Sequence, residues 1–325
     1  MSNENGIIHA CTIEGNGEGK PLQGNKISKI IQDNALAWVH LDGNDPKSRE
    51  WLERELTYLD NIIADALLAE ETRPRILQFE EGALLILRGV NLNENAQAED
   101  MISIRLWLDQ HRIISVQRRP LKATKDIHEK LISSKGPKNS GDFITMLTAR
   151  LFDRMEPVFS ELDEKLDDVE EKVMETPDIS ERQTITTIRK QAIMFRRYIA
   201  PQRDVITALR TSEQPWLDQM NKRRLQESLD QVIRYIEDLD TIRERAQIVK
   251  DELANGLADR MNKNMYVLSV IAAIFLPLGF LTGLMGINIG GMPGVDNAHA
   301  FWIFSGMLIA VVTLQTLLFK KLKWF

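Results

Sequence analysis

The stretch 266–288, "YVLSVIAAIFLPLGFLTGLMGIN", decides how the rest of the chain is read. Tyr266 to Met285 carries no charged side chain, and at about 1.5 Å of helical rise per residue it covers ~30 Å, the thickness of a bilayer's hydrocarbon core. A second uncharged run, "AFWIFSGMLIAVVTLQTLLF", extends from Ala300 to Phe319. Two such runs so close together would be odd in a soluble core, so both are expected to span a membrane. Between residues 265 and 319 the only formal charge is Asp296, and the only histidine is His299. The remainder is highly charged, and the net charge of the 325-residue chain is -6.

The flanks set the expected orientation. Arg260 and Lys263 precede the first run, Lys320, Lys321 and Lys323 follow the second, and the connecting loop has neither Lys nor Arg. The positive-inside rule then places both termini in the cytoplasm and the loop outside, with Trp302 and Trp324 at the two interfaces. The opening "MSNENGIIHACT" has no basic segment followed by an apolar one, so no signal peptide is expected. A lone cysteine, Cys11, excludes an intramolecular disulfide, fits a reducing compartment and reads as a buried structural thiol.

The charged part divides in two. Up to about residue 140, short apolar runs ("IIHACTI", "LAWVHLD", "ALLILRGV", "ISIRLWLD", "HRIISVQ") predict strands, and the alternation in "SIRLWL" is that of a strand with one solvent face. "DPKSREWLEREL", with an Asp cap and Pro at the first helical position, and "NIIADALLAEE" predict helices between them. From Gly141 the pattern turns helical. Leu225, Leu229, Val232, Ile236, Leu239, Ile242, Ala246, Val249, Leu253 and Leu257 recur at spacings of three and four, the seam of a bundle or coiled coil. No proline intervenes between Pro215 and Pro277, so this helix is expected to continue into the first span, on the order of 95 Å if straight. The acidic stretch 161–175 reads first as a solvated helix face, and second as a funnel or regulatory site for cations.

The fold class expected is α+β. An α/β N-terminal cytoplasmic domain (1–140) leads into a long helical stalk (141–264), which is continuous with the first transmembrane helix (265–285). An outer loop (286–299), a second transmembrane helix (300–319) and a basic tail (320–325) complete the chain.

Two spans cannot enclose a pore, so conduction requires several copies around an axis. One stripe of the first span reads Asn255, Asn262, Ser269, Leu276 and Gly283, with Asp251, Asp259 and Met265 beside it. Polar groups near the cytoplasmic end, then small and apolar ones, suit a wet vestibule leading to a narrow constriction. The competing reading is ordinary packing of small residues between helices. At the outer end come Gly286, Ile287 and Asn288. Glycine lets the backbone turn and expose carbonyls, and Asn288 adds a neutral amide oxygen, so a ring of such groups can hold a hydrated divalent cation without trapping it.

Two C-terminal spans, a Gly-x-Asn triplet ending the first, Met-Pro soon after ("MPGV"), a long stalk and an α/β N-terminal domain together resemble the CorA metal-ion transporter family over nearly the whole chain. The resemblance implies a homopentameric funnel in the bacterial inner membrane, each first span lining the pore and the triplet at the outer mouth. Magnesium-transporting members typically have Met at the middle of the triplet and acidic residues around Met-Pro. Ile287, and the absence of a carboxylate before Asp296, resemble instead the zinc-associated ZntB branch, for which proton coupling is a further implied property.

Residue chemistry adds only that Asn288, Asp296 and His299 are candidates for transient contact with zinc at the entrance. The remaining histidines (His9, His40, His111, His128) are read as scattered strand or surface residues. No nucleotide-binding run or catalytic motif is present, so neither an enzyme nor a tightly bound cofactor is expected. The expected partners are further copies of the chain, the bilayer, divalent cations and protons, not nucleic acid. Two alternatives stay open: a CorA-type magnesium, cobalt or nickel channel, and a membrane-anchored coiled-coil sensor or scaffold without transport.

Overall fold

The computed structural model describes residues 6–32, 35–55, 61–70, 72–287, 294 and 296–321. The chain divides into two compact units, residues 1–251 and 252–325.

The first unit opens with β1 (Ile7–Ile13), β2 (Gly19–Pro21), α1 (Asn25–Gln32), β3 (Ala37–Asp42), α2 (Pro46–Glu55), α3 (Asn61–Leu68), β4 (Arg75–Gln78), β5 (Gly82–Gly89), β6 (Ile102–Asp109) and β7 (Arg112–Gln117). The strands form one mixed sheet in the order β2-β1-β3-β7-β6-β5-β4. Among the described strands only β3 and β7 pair in parallel. The start of α2 follows from its cap: Asp45 Oδ1 accepts from the Lys47 amide at 2.9 Å, and Pro46 supplies a first helical residue with no N–H to satisfy.

Side chains from alternate strand positions build two cores. Val39, Leu41, Leu84, Trp107, Ile114 and Val116 pack with Trp51 and Leu52 of α2 and Ile63, Ala66 and Leu67 of α3. On the other face Trp38 meets Phe143, 4.9 Å between ring centres. Phe143 lies on α5 (Ser140–Asp153), which follows α4 (Lys122–Ile132).

Covering both faces changes the reading of "SIRLWL". Arg105, at a position where alternation predicts solvent, is 1% exposed. Its Nη2 donates to the Ala69 and Glu70 carbonyls at 2.6 and 3.2 Å, Arg118 donates to Leu68 O at 2.9 Å, and Arg88 to Thr72 O at 2.6 Å. Three cations thus gather at and just past the C-terminus of α3, where unpaired carbonyls and the helix dipole favour positive charge. Burial, with Arg118 and Arg88 nearby, pushes the Arg105 guanidinium down to about 10.

Three of the four histidines read as scattered, His9, His40 and His128, in fact come together. His9 and His40 are cross-strand partners on β1 and β3, and His128 reaches them from α4. Ring centres lie 4.8 Å apart for His9–His40 and 4.1 Å for His9–His128, with planes tilted by 37° and 31°. Ser115 Oγ accepts from the Trp38 indole N–H at 2.7 Å and lies 2.6 Å from His40 Nδ1. Burial is the first cause pushing His9 down to about 2 and His40 to about 4, and it lowers His128 as well. The rings lie against one another's faces instead of converging on a point. Among the described residues no group of three or more His, Cys, Asp or Glu could hold a metal ion.

Three long helices follow: α6 (Glu156–Glu175), α7 (Glu181–Arg210) and α8 (Gln219–Met285). The α8 seam is buried at Leu225, Leu229, Val232, Leu239, Ile242, Ala246, Val249 and Leu253, and only partly so at Ile236 and Leu257. Phe159 of α6 meets Phe195 of α7 and Tyr235 of α8 at 5.1 and 5.2 Å. Within the acidic stretch, Arg245 binds Asp163 at 3.0 Å, Glu170 at 2.6 Å and also Asp167. Three of its carboxylates are therefore already engaged by a cation from the chain itself.

Candidate cation pathway

The second unit contains the end of α8 and the whole of α9 (Ala300–Lys321). Both helices are long and apolar enough to cross a membrane. The α8 helix takes in the bundle seam and the first apolar run as one element and passes over Pro277 without ending.

In this unit Val270 is buried, and Ala273, Ile274, Pro277, Leu278 and Leu281 are half-buried. That face meets α9, where Gln315 Nε2 donates to the Ala273 carbonyl at 3.3 Å. At about 100° of rotation per residue, the stripe through Asn262, Ser269, Leu276 and Gly283 lies roughly a third of a turn from the centre of this face. Every member of the stripe is exposed in the single chain: Asn255, Asp259, Asn262, Met265 at 53%, Ser269, Leu276 at 71% and Gly283. Asp251, the last residue of the first unit, is exposed too. The stripe is thus not what packs α8 against α9. Ser269 turns its hydroxyl back onto the Met265 carbonyl at 2.8 Å, which leaves its oxygen lone pairs as the polar feature it presents.

Helix α8 ends where the triplet begins. The Gly286 amide donates to Thr282 O and Gly283 O at 3.0 and 3.1 Å, closing the last turn. Gly286 is not in the left-handed region; of the described glycines in this loop it is Gly294, at φ +92°, that takes that conformation. Ile287 is 44% exposed. Asn288 and the Met-Pro pair lie outside the described residues. Asp296 and His299 are both exposed, and His299 stands at the entry to α9, its amide donating to Asn297 Oδ1 at 2.9 Å and its carbonyl accepting from Ile303 at 3.1 Å.

Glycine inside a helix costs roughly 1 kcal/mol relative to alanine. Yet a Cβ added at Gly279, Gly283 or Gly306 would meet nothing within 4 Å. One chain alone gives no steric reason for these glycines.

A family described as "CorA-like Mg2+ transporter protein" matches residues 33–321, which takes in strands β3 to β7, the bundle and both apolar helices. The chain belongs to the CorA family. Among similar CorA-type proteins, the divalent cation transporter CmaX of Pseudomonas aeruginosa is 37% identical over 99% of this chain and 97% of its own length. The zinc transport protein ZntB of Pectobacterium atrosepticum is 35% identical over 98% of this chain and 96% of its own. A solved full-length CmaX structure superposes with a TM-score of 0.86 at 36% identity and covers 99% of each chain. The CorA magnesium transporter of Methanocaldococcus jannaschii, at 17% identity, TM-score 0.79 and coverage of 98% of this chain and 99% of its own, shares the fold. The CorA family is one of ion transporters, and the two apolar helices are its membrane part.

Gln315 was not legible as a contact residue in the sequence. A lone amide in an apolar run is the signal that marks it.

Proposed function

We propose that this CorA-family divalent-cation transporter carries zinc across the bacterial inner membrane, through a pore formed where the α8 helices of five copies meet. The observation that carries this reading is the exposed polar stripe of α8, turned away from the face that meets α9 and ending at the Gly-Ile-Asn triplet. The polar members Asn255, Asp259, Asn262 and Ser269, gathered toward the cytoplasmic end of the stripe, are favourable where they line water and costly where they face lipid. The glycines without a steric reason in one chain suit close approach of helices from neighbouring copies.

In this reading Asn288 of each copy presents an amide oxygen to the hydrated ion at the outer mouth, with Gly286 and Ile287 shaping the turn. Asp296 and His299 lie at the entrance, and Asp251, Asn255, Asp259 and Asn262 line the cytoplasmic vestibule, with both termini on that side. Met265, Ser269, Leu276 and Gly283 form the narrow stretch between. Zinc is favoured over magnesium by Ile287 in the triplet and by the similarity to proteins named for zinc transport. A doubly charged ion entering a negative-inside cell gains roughly 2 × 2.3 kcal/mol per 100 mV, which drives import without ATP. Neither span holds an ionisable side chain of the kind used in buried proton relays, so any coupled proton uses the loop and vestibule groups Asp296, His299, Asp251 and Asp259, or water and metal-bound hydroxide in the pore.

Reconstituted liposomes with an inside-negative potential test this. Zinc is expected to enter faster than magnesium, and faster still with an inward proton gradient. Replacing Asp259, Asp296 and His299 together is expected to flatten the response to that gradient. Liposomes that pass magnesium in preference to zinc would overturn the metal assignment. An unchanged proton response in the triple variant would overturn the coupling route.

A further inference from the structure

Proline has no N–H, so the carbonyl four residues before a helical proline loses its partner. In α8 the proline is Pro277 and the carbonyl is that of Ala273, within a segment surrounded by hydrocarbon. An unpaired carbonyl there is costly. The Ala273 carbonyl is met from the other membrane helix, by Gln315 Nε2 of α9 at 3.3 Å.

The amide is not a bystander of the α9 sequence. Two other polar side chains in the same part of α9, Thr313 and Thr316, satisfy their hydroxyls on their own helix, at Ile309 O and Val312 O, 2.8 Å in each case. The Gln315 amide instead crosses to α8, and its Oε1 is buried without a partner. Carrying such a group in an apolar span is unfavourable unless the bond it makes compensates.

We infer that Gln315 is a positioning residue: it takes the hydrogen-bond place that Pro277 vacates and so ties α9 to α8 partway along the span. The consequence for transport rests on the function proposed above. The tie fixes the course of α8 beyond Pro277, and hence where Gly283 and the triplet stand relative to the axis. Restoring the missing N–H makes Gln315 dispensable, which separates this role from general packing.

The test is a cycle of Gln315→Leu and Pro277→Ala in the full-length protein in lipid. Carbonyl-13C alanine with 15N isoleucine marks two Ala–Ile pairs, 192–193 and 273–274, the first lying in α7. In Gln315→Leu the Ala273 carbonyl resonance is expected to move toward that of an unbonded carbonyl, while in the Pro277→Ala background the same change leaves it in place. An Ala273 resonance unmoved by Gln315→Leu in the native background would remove the bond. Metal uptake into liposomes is the second readout: about threefold to tenfold slower in Gln315→Leu, the scale of one interhelical hydrogen bond, with no further loss once Pro277 is alanine. Equal losses in both backgrounds would show that Gln315 acts by packing alone and overturn the positioning role. If the wild-type protein passes no metal, the transport reading fails and the carbonyl shift still decides the bond.

Discussion

Replacing Asn288 by alanine is expected to slow zinc uptake about tenfold or more, because a hydrogen bond to a charged partner contributes ~1.5–3 kcal/mol and ~1.4 kcal/mol is a factor of ten. The amide is neutral, so in the proposed pore it meets the hydration shell of a doubly charged ion without holding the ion in a deep well, and removing it from every copy would remove a whole ring of acceptors. Asn288→Asp distinguishes attraction from passage. A ring of carboxylates is expected to lower the zinc concentration needed for half-maximal uptake while reducing the maximal rate, since release becomes the slow step. Initial rates in liposomes over a range of zinc concentrations check both variants. Uptake by Asn288→Ala within about twofold of the native rate, well short of the loss expected from one such bond, would remove Asn288 from the pathway.

Acid is expected to destabilise the N-terminal domain well before its carboxylates titrate. His9 and His40 are held neutral by burial, at about 2 and about 4, against an ordinary 6.5 in the unfolded chain. Below pH 6.5 the unfolded state therefore binds protons that the folded state refuses. Stability falls as pH falls, and goes on falling until the folded-state values are reached. For the pair the loss between pH 6.5 and about 5.5 is about 2 kcal/mol, at up to ~1.4 kcal/mol per proton per pH unit. His128 adds to it in the same direction, its imidazole being lowered as well. His9→Phe keeps a ring against Trp38 and His40 and is expected to flatten the slope by about a third to a half. Unfolding midpoints followed by tryptophan emission check this, with a midpoint independent of pH over that range as the contrary result.

Much of the architecture was legible because long-range physics was written locally. Two charge-free runs of membrane length, a seam of apolar residues at spacings of three and four, and five strand-like runs each needed only neighbouring residues to be recognised. What escaped depended on partners distant in sequence. Strands β2 and β4 are only three and four residues long, and their pairing with β1 and β5 defines them more than their composition does. Arg105 reads as a solvent position until the end of α3 is laid over it. His9, His40 and His128 are separated by long intervals, and only sheet register and the packing of α4 bring them together. Likewise the arithmetic from Pro277 back to Ala273 is available in the sequence, but Gln315 as the donor is not. For the pathway, the stripe's spacing was visible at once. Its exposure and its distance from the α9-facing side required the second helix to be in place.

The proposed function requires the exposed stripe of α8 to line a water-filled passage. Cysteine substitution tests it directly, because Cys11 is buried and burial pushes its thiol up to about 12, so the native chain offers little background reactivity. Ser269→Cys and Leu276→Cys lie on the stripe. Leu268→Cys and Phe275→Cys, one residue earlier and about 100° round the helix, lie off it. A small positively charged thiosulfonate added to liposomes is predicted to stop zinc flux through the first two variants and spare the last two. Flux that survives modification of Ser269→Cys and Leu276→Cys, or block that falls equally on all four, would show that the stripe does not line the passage.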